Sequence, residues 1–258
     1  MKGKSIYIIL ISLLLLFALI MFLVFGIDAK NGENQTIIAV GDNTTWIYQN
    51  KKWYKVSTSE SYQKIGWKVF KVFENGKNIG DYYLWHDDKW YVFDKNKSAV
   101  EVTGEFFAYR SNYDLNLISL SKENISTNTY IEEVLKENYL ATESKFTKSY
   151  KTTIDVDNDG TSEDFYVISN AFPMDFNPKM SFSIVFMVKD GKIYYLYKNV
   201  SEYSAYNGCS PEIIASFDVE RDNTNEVLVS CYQYSVSGRI DMLYKFVKDE
   251  FKIIASNQ

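Results

Sequence analysis

The sequence is poor in the residues on which most cofactor and enzyme chemistry depends. Among 258 residues there is one histidine, His86. A single imidazole cannot furnish a multi-histidine metal centre, and any Ser-His-Asp or Cys-His arrangement would have to be built around it. It falls in the polar stretch His86-Asp87-Asp88-Lys89 between two aromatic runs, so it reads as a surface turn residue. No glycine-rich phosphate loop occurs, which removes the nucleotide-binding fingerprints. Lys and Arg total 28 against 33 acids and never gather into a run; a chain of that balance is not built to hold nucleic acid. Proline is scarce, at three residues, while Lys, Asn, Ile and Tyr are abundant, the composition of an AT-rich, low-GC bacterial genome. The glycosylation-type triplets at Asn34, Asn43, Asn96, Asn124 and Asn199 are then what an asparagine-rich chain produces by chance.

Charge is also missing from positions 6 to 25, IYIILISLLLLFALIMFLVF. As a helix this segment is about 30 Å long, the thickness of a bilayer core. Lys2 and Lys4 precede it, and Asp28, Lys30 and Glu33 follow. The positive flank stays inside, so the body is expected on the outer side. A cleaved signal peptide would have a shorter apolar stretch and a small-x-small site; Gly26-Ile27-Asp28-Ala29 is a poor one, and no Cys follows to carry a lipid. The expected organisation is a cytoplasmic stub and transmembrane anchor at 1–27, a linker at 28–36, an aromatic-rich β module at 37–113 and a second β module at 114–258. On the exported side, the two cysteines, Cys209 and Cys231, are either a disulfide or two buried thiols, and both readings stay open.

What is plentiful is strand-forming sequence. Aromatic and β-branched runs (IIAV, TTWIYQ, KWYKVS, WKVFKVF, DYYLWH, KWYVFD, AVEVTG and EFFAYR) are separated by Asn, Asp and Gly. Glu74-Asn75-Gly76-Lys77 is a hairpin signal, since Asn-Gly supplies the positive φ of a type I′ turn. Trp46 to Tyr54 lines up with Tyr83 to Tyr91, 37 residues on, as two Trp-rich hairpins. Trp46, Trp53, Trp85 and Trp90 are candidates for stacking on sugars or peptides, with strand core the favoured reading. One helix is expected near 130–140, with Thr129 and Glu132 as a capping box and Ile131, Val134, Leu135 and Tyr139 on one face.

The C-terminal half repeats. Asp155-Val-Asp157-Asn-Asp159-Gly-Thr161-Ser-Glu163 leads into DFYVIS, and Asp218-Val-Glu220-Arg-Asp222-Asn-Thr-Asn-Glu226 leads into VLVSCYQYS; each is followed by a hairpin, about 60 residues apart. Oxygen ligands at alternate positions converge when a chain curls, and glycine at the sixth position permits the turn. Asp155, Asp157 and Asp159 would give side-chain oxygens, Thr161 its carbonyl and Glu163 a further ligand. The second loop is a degenerate copy: Glu220 lengthens a ligand, Arg221 adds positive charge and Asn223 replaces the glycine. Asp-x-Asp-x-Asp-Gly-x-x-Glu running into an apolar strand resembles the FG-GAP and VCBS-type repeats of integrin-like β-propellers and bacterial surface proteins, over 155–170 and more loosely 218–230. The Phe-Gly and Gly-Ala-Pro signatures do not accompany the loop. The resemblance implies a structural Ca²⁺ in a β-hairpin loop of an extracellular interaction domain.

The expected protein is therefore mainly β: an N-terminal transmembrane helix, then a repeat-built antiparallel body, propeller-like or two packed β modules. Its expected role is to bind an extracytoplasmic protein or glycan from the cell membrane. The alternatives are an envelope hydrolase using a carboxylate pair and a structural subunit of an envelope complex.

Overall fold

The computed structural model describes residues 35–41, 44–57, 65–86, 89–102, 105–141, 145–170, 180–202, 209–233 and 238–257. The apolar segment at 6–25 lies outside them, as does the expected linker apart from Gln35 and Thr36, which open the first strand. Among the described residues no helix is long and apolar enough to cross a membrane.

Three antiparallel sheets are stacked in layers. The N-terminal sheet contains β1 (Gln35–Val40), β2 (Thr44–Gln49), β3 (Lys52–Lys55), β4 (Lys68–Glu74), β5 (Lys77–His86), β6 (Trp90–Phe93), β7 (Ala99–Val100) and β8 (Phe106–Arg110), in the order β3-β2-β1-β8-β4-β5-β6-β7. The outer sheet runs β13-β12-β11-β10-β9, from β9 (Glu123–Asn124), β10 (Lys148–Ile154), β11 (Glu163–Ser169), β12 (Met180–Lys189) and β13 (Lys192–Glu202). The middle sheet is the meander β14 (Cys209–Phe217), β15 (Glu226–Gln233), β16 (Gly238–Phe246) and β17 (Phe251–Ser256).

Turn chemistry sets the hairpins. Asn50-Lys51, Asn75-Gly76 and Asp190-Gly191 all have positive φ, between 50° and 74°, as a two-residue turn that matches strand twist requires. Side-chain alternation then sets the layers. In β15, Val227, Val229 and Cys231 pack toward the outer sheet with Phe165, Val167, Val185 and Met187. Leu228, between them, packs toward the N-terminal sheet with Ile38, Trp46 and Phe107. The middle sheet thus buries both faces, and its strands are apolar at odd and even positions alike. A propeller would need each sheet to be one blade around a common axis. The central position of the middle sheet replaces that with a layered stack, and the described strands close neither a propeller nor a barrel.

The N-terminal sheet also has two apolar faces at β1. Ile38 and Val40 join the middle sheet, whereas Ile37 and Ala39 join a separate core with Ile47, Phe70, Leu84, Trp90 and Val92. Strands as distant in sheet order as β2 and β6 share that core, so the sheet curls on itself. The far face of the outer sheet is covered by α1 (Thr129–Glu137), through Ile131, Val134 and Leu135 against Tyr166, Ile168, Ile184 and Phe186. The cap is Asn128, one residue before the expected Thr129: its Oδ1 accepts the Ile131 N–H at 2.9 Å. Tyr139, expected on the apolar face, lies beyond the helix and is 93% exposed.

Candidate functional site

The two acidic loops connect the first and second long strands of each C-terminal unit, β10 to β11 and β14 to β15. Both fold on their own acids. Asp155 Oδ1 and Oδ2 accept the N–H groups of Asp159 and Gly160 at 3.1 and 3.0 Å, and Asp159 Oδ1 accepts that of Thr161 at 2.7 Å. Glu163 reaches back to the Val156 N–H at 3.0 Å. In the second loop the same four bonds recur: Asp218 to Asp222 and Asn223 at 3.2 and 3.1 Å, Asp222 to Thr224 at 3.2 Å, Glu226 to Val219 at 2.8 Å. Asn223 adopts the positive φ of the glycine it replaces, 65° against 88° for Gly160, because asparagine tolerates that region better than other residues with a Cβ. The departures that made the second copy look degenerate leave its backbone bonding unchanged.

The loops touch. Asn225 is buried; its N–H donates to the Val156 carbonyl at 2.8 Å and its Nδ2 to the Asp155 carbonyl at 2.6 Å. The second loop is further tied to β3, where Trp53 Nε1 donates to Glu220 Oε1 at 3.2 Å, and to the segment after β8, where Tyr113 Oη donates to the Val219 carbonyl at 2.8 Å. Arg221 lies over the Tyr113 ring at 4.7 Å.

One carboxylate oxygen from each of Asp155, Asp157 and Asp159, and likewise from Asp218, Asp222 and Glu226, lie within 4.8 Å of one another, the convergence a hard cation needs. Thr161 is exposed. Each cup, however, holds a lysine ammonium. Lys189, at the end of β12, is 2.9 Å from Asp157, 3.4 Å from Asp159 and 2.6 Å from Glu163. Lys245, on β16, is 2.5 Å from Glu220, 2.6 Å from Asp222 and 3.6 Å from Glu226. Burial opposes the charge on both lysines, but their carboxylate partners outweigh it and hold both ammonium groups above the usual lysine range. Burial pushes the Glu226 carboxyl up to about 8, against the pull of the Val219 N–H and of Lys245.

Comparison with protein-family models, curated proteins and solved structures finds no match to this chain.

The expected tryptophan set divides. Trp46 and Trp90 are buried core, 1% and 8% exposed, and Trp53 is half-buried against Tyr48 with its indole N–H spent on Glu220. Trp85 differs. The register aligns Val69, Tyr83 and Phe93 across β4, β5 and β6, with Trp85 beside Tyr91, on the face opposite Phe70, Leu84 and Val92. Trp67, just before β4, lies on this outward face, 43% exposed, with its ring 5.7 Å from Trp85 and 5.0 Å from Phe93. Lys97 sits 5.3 Å from the Trp67 ring and Lys89 5.6 Å from the Tyr91 ring. In the sequence Trp67 is legible only as the first residue of a strand run; its positive φ of 57° has no sequence signal.

His86 is not the surface turn residue expected. It ends β5, 2% exposed, and its ring meets Trp90 edge-on at 4.5 Å. Cys209 and Cys231 form a disulfide across β14 and β15, Cα atoms 5.3 Å apart, within the span a disulfide allows.

Proposed function

We propose that this chain is a membrane-anchored extracytoplasmic binding module that meets its ligand on the aromatic face of β4–β6. The observation that carries this reading is the outward cluster of Trp67, Trp85 and Phe93 with Lys97 over one ring. Planar rings on a sheet face give amphipathic contact area at low entropic cost, and they suit the apolar faces of sugar rings. The flanking lysines add complementarity to acidic groups on an envelope glycan.

Two further features support it. A disulfide persists in an oxidising compartment, which agrees with an exported body anchored by residues 6–25. The wholly buried carboxylates among the described residues, Glu163, Glu226 and Asp241, each pair with a lysine or arginine, the arrangement of structural acids. A hydrolase would instead present a carboxylate pair to an open cleft.

The test is sedimentation of the full chain, in detergent, with insoluble envelope polysaccharide. Wild type should co-sediment, and Trp67→Ala/Trp85→Ala should weaken binding at least about tenfold, since a stacked aromatic contributes roughly 1–3 kcal/mol. Wild-type chain remaining in the supernatant, or a double variant that binds equally well, refutes the reading.

A further inference from the structure

The oxygens left over in each acidic loop converge on a lysine, and strand register explains why it is that lysine. Asp164 faces Val188 across β11 and β12, so Lys189, one step on, faces Glu163. Val227 faces Tyr244 across β15 and β16, so Lys245 faces Glu226. Both units therefore place an ammonium opposite the glutamate that closes the acidic loop. This duplication is geometric: it holds at the same strand pair and the same register in both copies.

One ammonium does not satisfy the cup. In the first loop Asp157 Oδ1 is buried without a hydrogen-bond partner; in the second, Glu226 Oε1, on a side chain with no exposed surface, makes no hydrogen bond and has only the Lys245 ammonium at 3.6 Å. The first cup sets four carboxylates, those of Asp155, Asp157, Asp159 and Glu163, against a single lysine. Buried carboxyl oxygens without hydrogen-bond partners are costly, and a divalent ion would supply contacts that the single ammonium does not. In each loop the ammonium already holds two of the three converging acids, Asp157 and Asp159 in the first and Asp222 and Glu226 in the second, so a divalent ion bound through those oxygens would meet the lysine's charge.

We propose that lysine is the resident cation of both loops and that it masks a site for a hard divalent cation. The wild-type fold is then independent of calcium, and each cup takes calcium once its lysine is removed. The calcium expected from the loop residues is displaced by a residue that the loop sequence does not contain.

The experiment is thermal melting of the full chain in detergent, with chelator and with millimolar calcium, for wild type, Lys189→Met, Lys245→Met and Lys189→Arg. Wild type and Lys189→Arg should melt alike in both conditions. Lys189→Met and Lys245→Met should melt lower in chelator and rise by about 5–10 °C in calcium, the shift expected at hundredfold excess over the dissociation constant for a chain of this size. A wild-type rise of the same size would show that the lysine does not exclude the metal. No rise in either methionine variant would show that the cups hold no divalent site. Should the methionine variants not fold, amine labelling of the native wild type decides. Lys189 and Lys245 should react more slowly than exposed Lys252, with or without calcium, and equal rates would overturn the proposal.

Discussion

The junction between the N-terminal and middle sheets rests on Arg239, and its removal is the most informative perturbation of the fold. The guanidinium donates to Asp241 Oδ1 and Glu105 Oε2, both at 2.7 Å, and to Ser230 Oγ at 2.6 Å. Asp241 is 1% exposed; its other oxygen accepts the Thr44 hydroxyl at 2.6 Å, and Asn257 donates to Thr44 at 2.7 Å. Strands β2 and β16 and Asn257, just after β17, are thereby joined through one buried carboxylate. Gly41 fits against this group only because it lacks a side chain: a Cβ there would lie 2.8 Å from Arg239 Cδ. Arg239→Leu leaves Asp241 buried without its cation, a loss of about 3–5 kcal/mol. For a chain of this size that lowers the melting temperature by roughly 6–20 °C. Arg239→Leu/Asp241→Asn removes the stranded charge and keeps a carbonyl oxygen for Thr44, so it should recover a coupling energy of about 2 kcal/mol. Calorimetry or denaturant titration of the four chains reads the cycle. A cost below about 1 kcal/mol for the single variant, or strictly additive costs in the double, would refute the claim that Arg239 and Asp241 act as a coupled buried pair at this junction.

Cys209→Ser/Cys231→Ser opens a loop of sequence separation 22 and should cost about 3 kcal/mol in the chain-entropy account, read as a melting temperature roughly 6–12 °C lower; an unchanged temperature would mean that β14 and β15 need no covalent tie. Glu212 is expected to make stability fall in acid. Burial works to raise its carboxyl, but Lys148 at 2.5 Å and the nearer Lys122 outweigh burial and hold it below the usual glutamate range. The folded state then binds fewer protons than the unfolded one, so this stabilisation is complete above the unfolded value near 4.5 and is lost as pH falls through the lower folded value. Wild type should exceed Glu212→Gln in melting temperature at neutral pH and lose that margin in acid; a margin that does not change with pH would refute the linkage.

The parts legible in the sequence were those fixed by neighbours along the chain. Asn75-Gly76 and Asp190-Gly191 turn where their dihedral freedom requires, and the strand runs from β1 to β8 follow the aromatic and β-branched blocks. The helix was legible to within one residue because Asn128 and Thr129 are both good caps, and only geometry chooses the one whose oxygen reaches Ile131. A histidine beside two aspartates has turn composition, yet the strand pairing carries His86 inward to face Trp90. The lysines of the cups were hidden by the repeat itself. The loops recur 63 residues apart, from 155 to 218, but the lysines recur 56 apart, from 189 to 245, because β11 and β12 are joined by a longer connection than β15 and β16. A fixed offset aligns Lys189 with Lys252, which pairs with Glu250 instead.

The same comparison changes what the differences between the loops mean. Read alone, Asp157 to Glu220, Gly160 to Asn223 and Ser162 to Asn225 describe a metal loop in decay. In place, the longer Glu220 spans Lys245 at 2.5 Å and the Trp53 indole at 3.2 Å, and Asn225 reaches across to the first loop. An aspartate at 220 would be too short to hold both partners, and a serine at 225 could not supply the amide that donates to the Asp155 carbonyl. Those changes convert a copy of the loop into the joint between three sheets. The first loop meets Asn225 through its backbone carbonyls, and among the described residues Lys189 is the cation that Asp157, Asp159 and Glu163 share. If the lysine-for-metal exchange can be reversed anywhere by mutation, it should reverse more fully there. Lys189→Met frees a cup that answers only to its ion, whereas Lys245→Met also loosens Glu220 from the tryptophan that anchors the N-terminal sheet. Calcium should therefore restore Lys189→Met to near the wild-type melting temperature and leave Lys245→Met short of it; equal recovery would mean that the second loop is no joint.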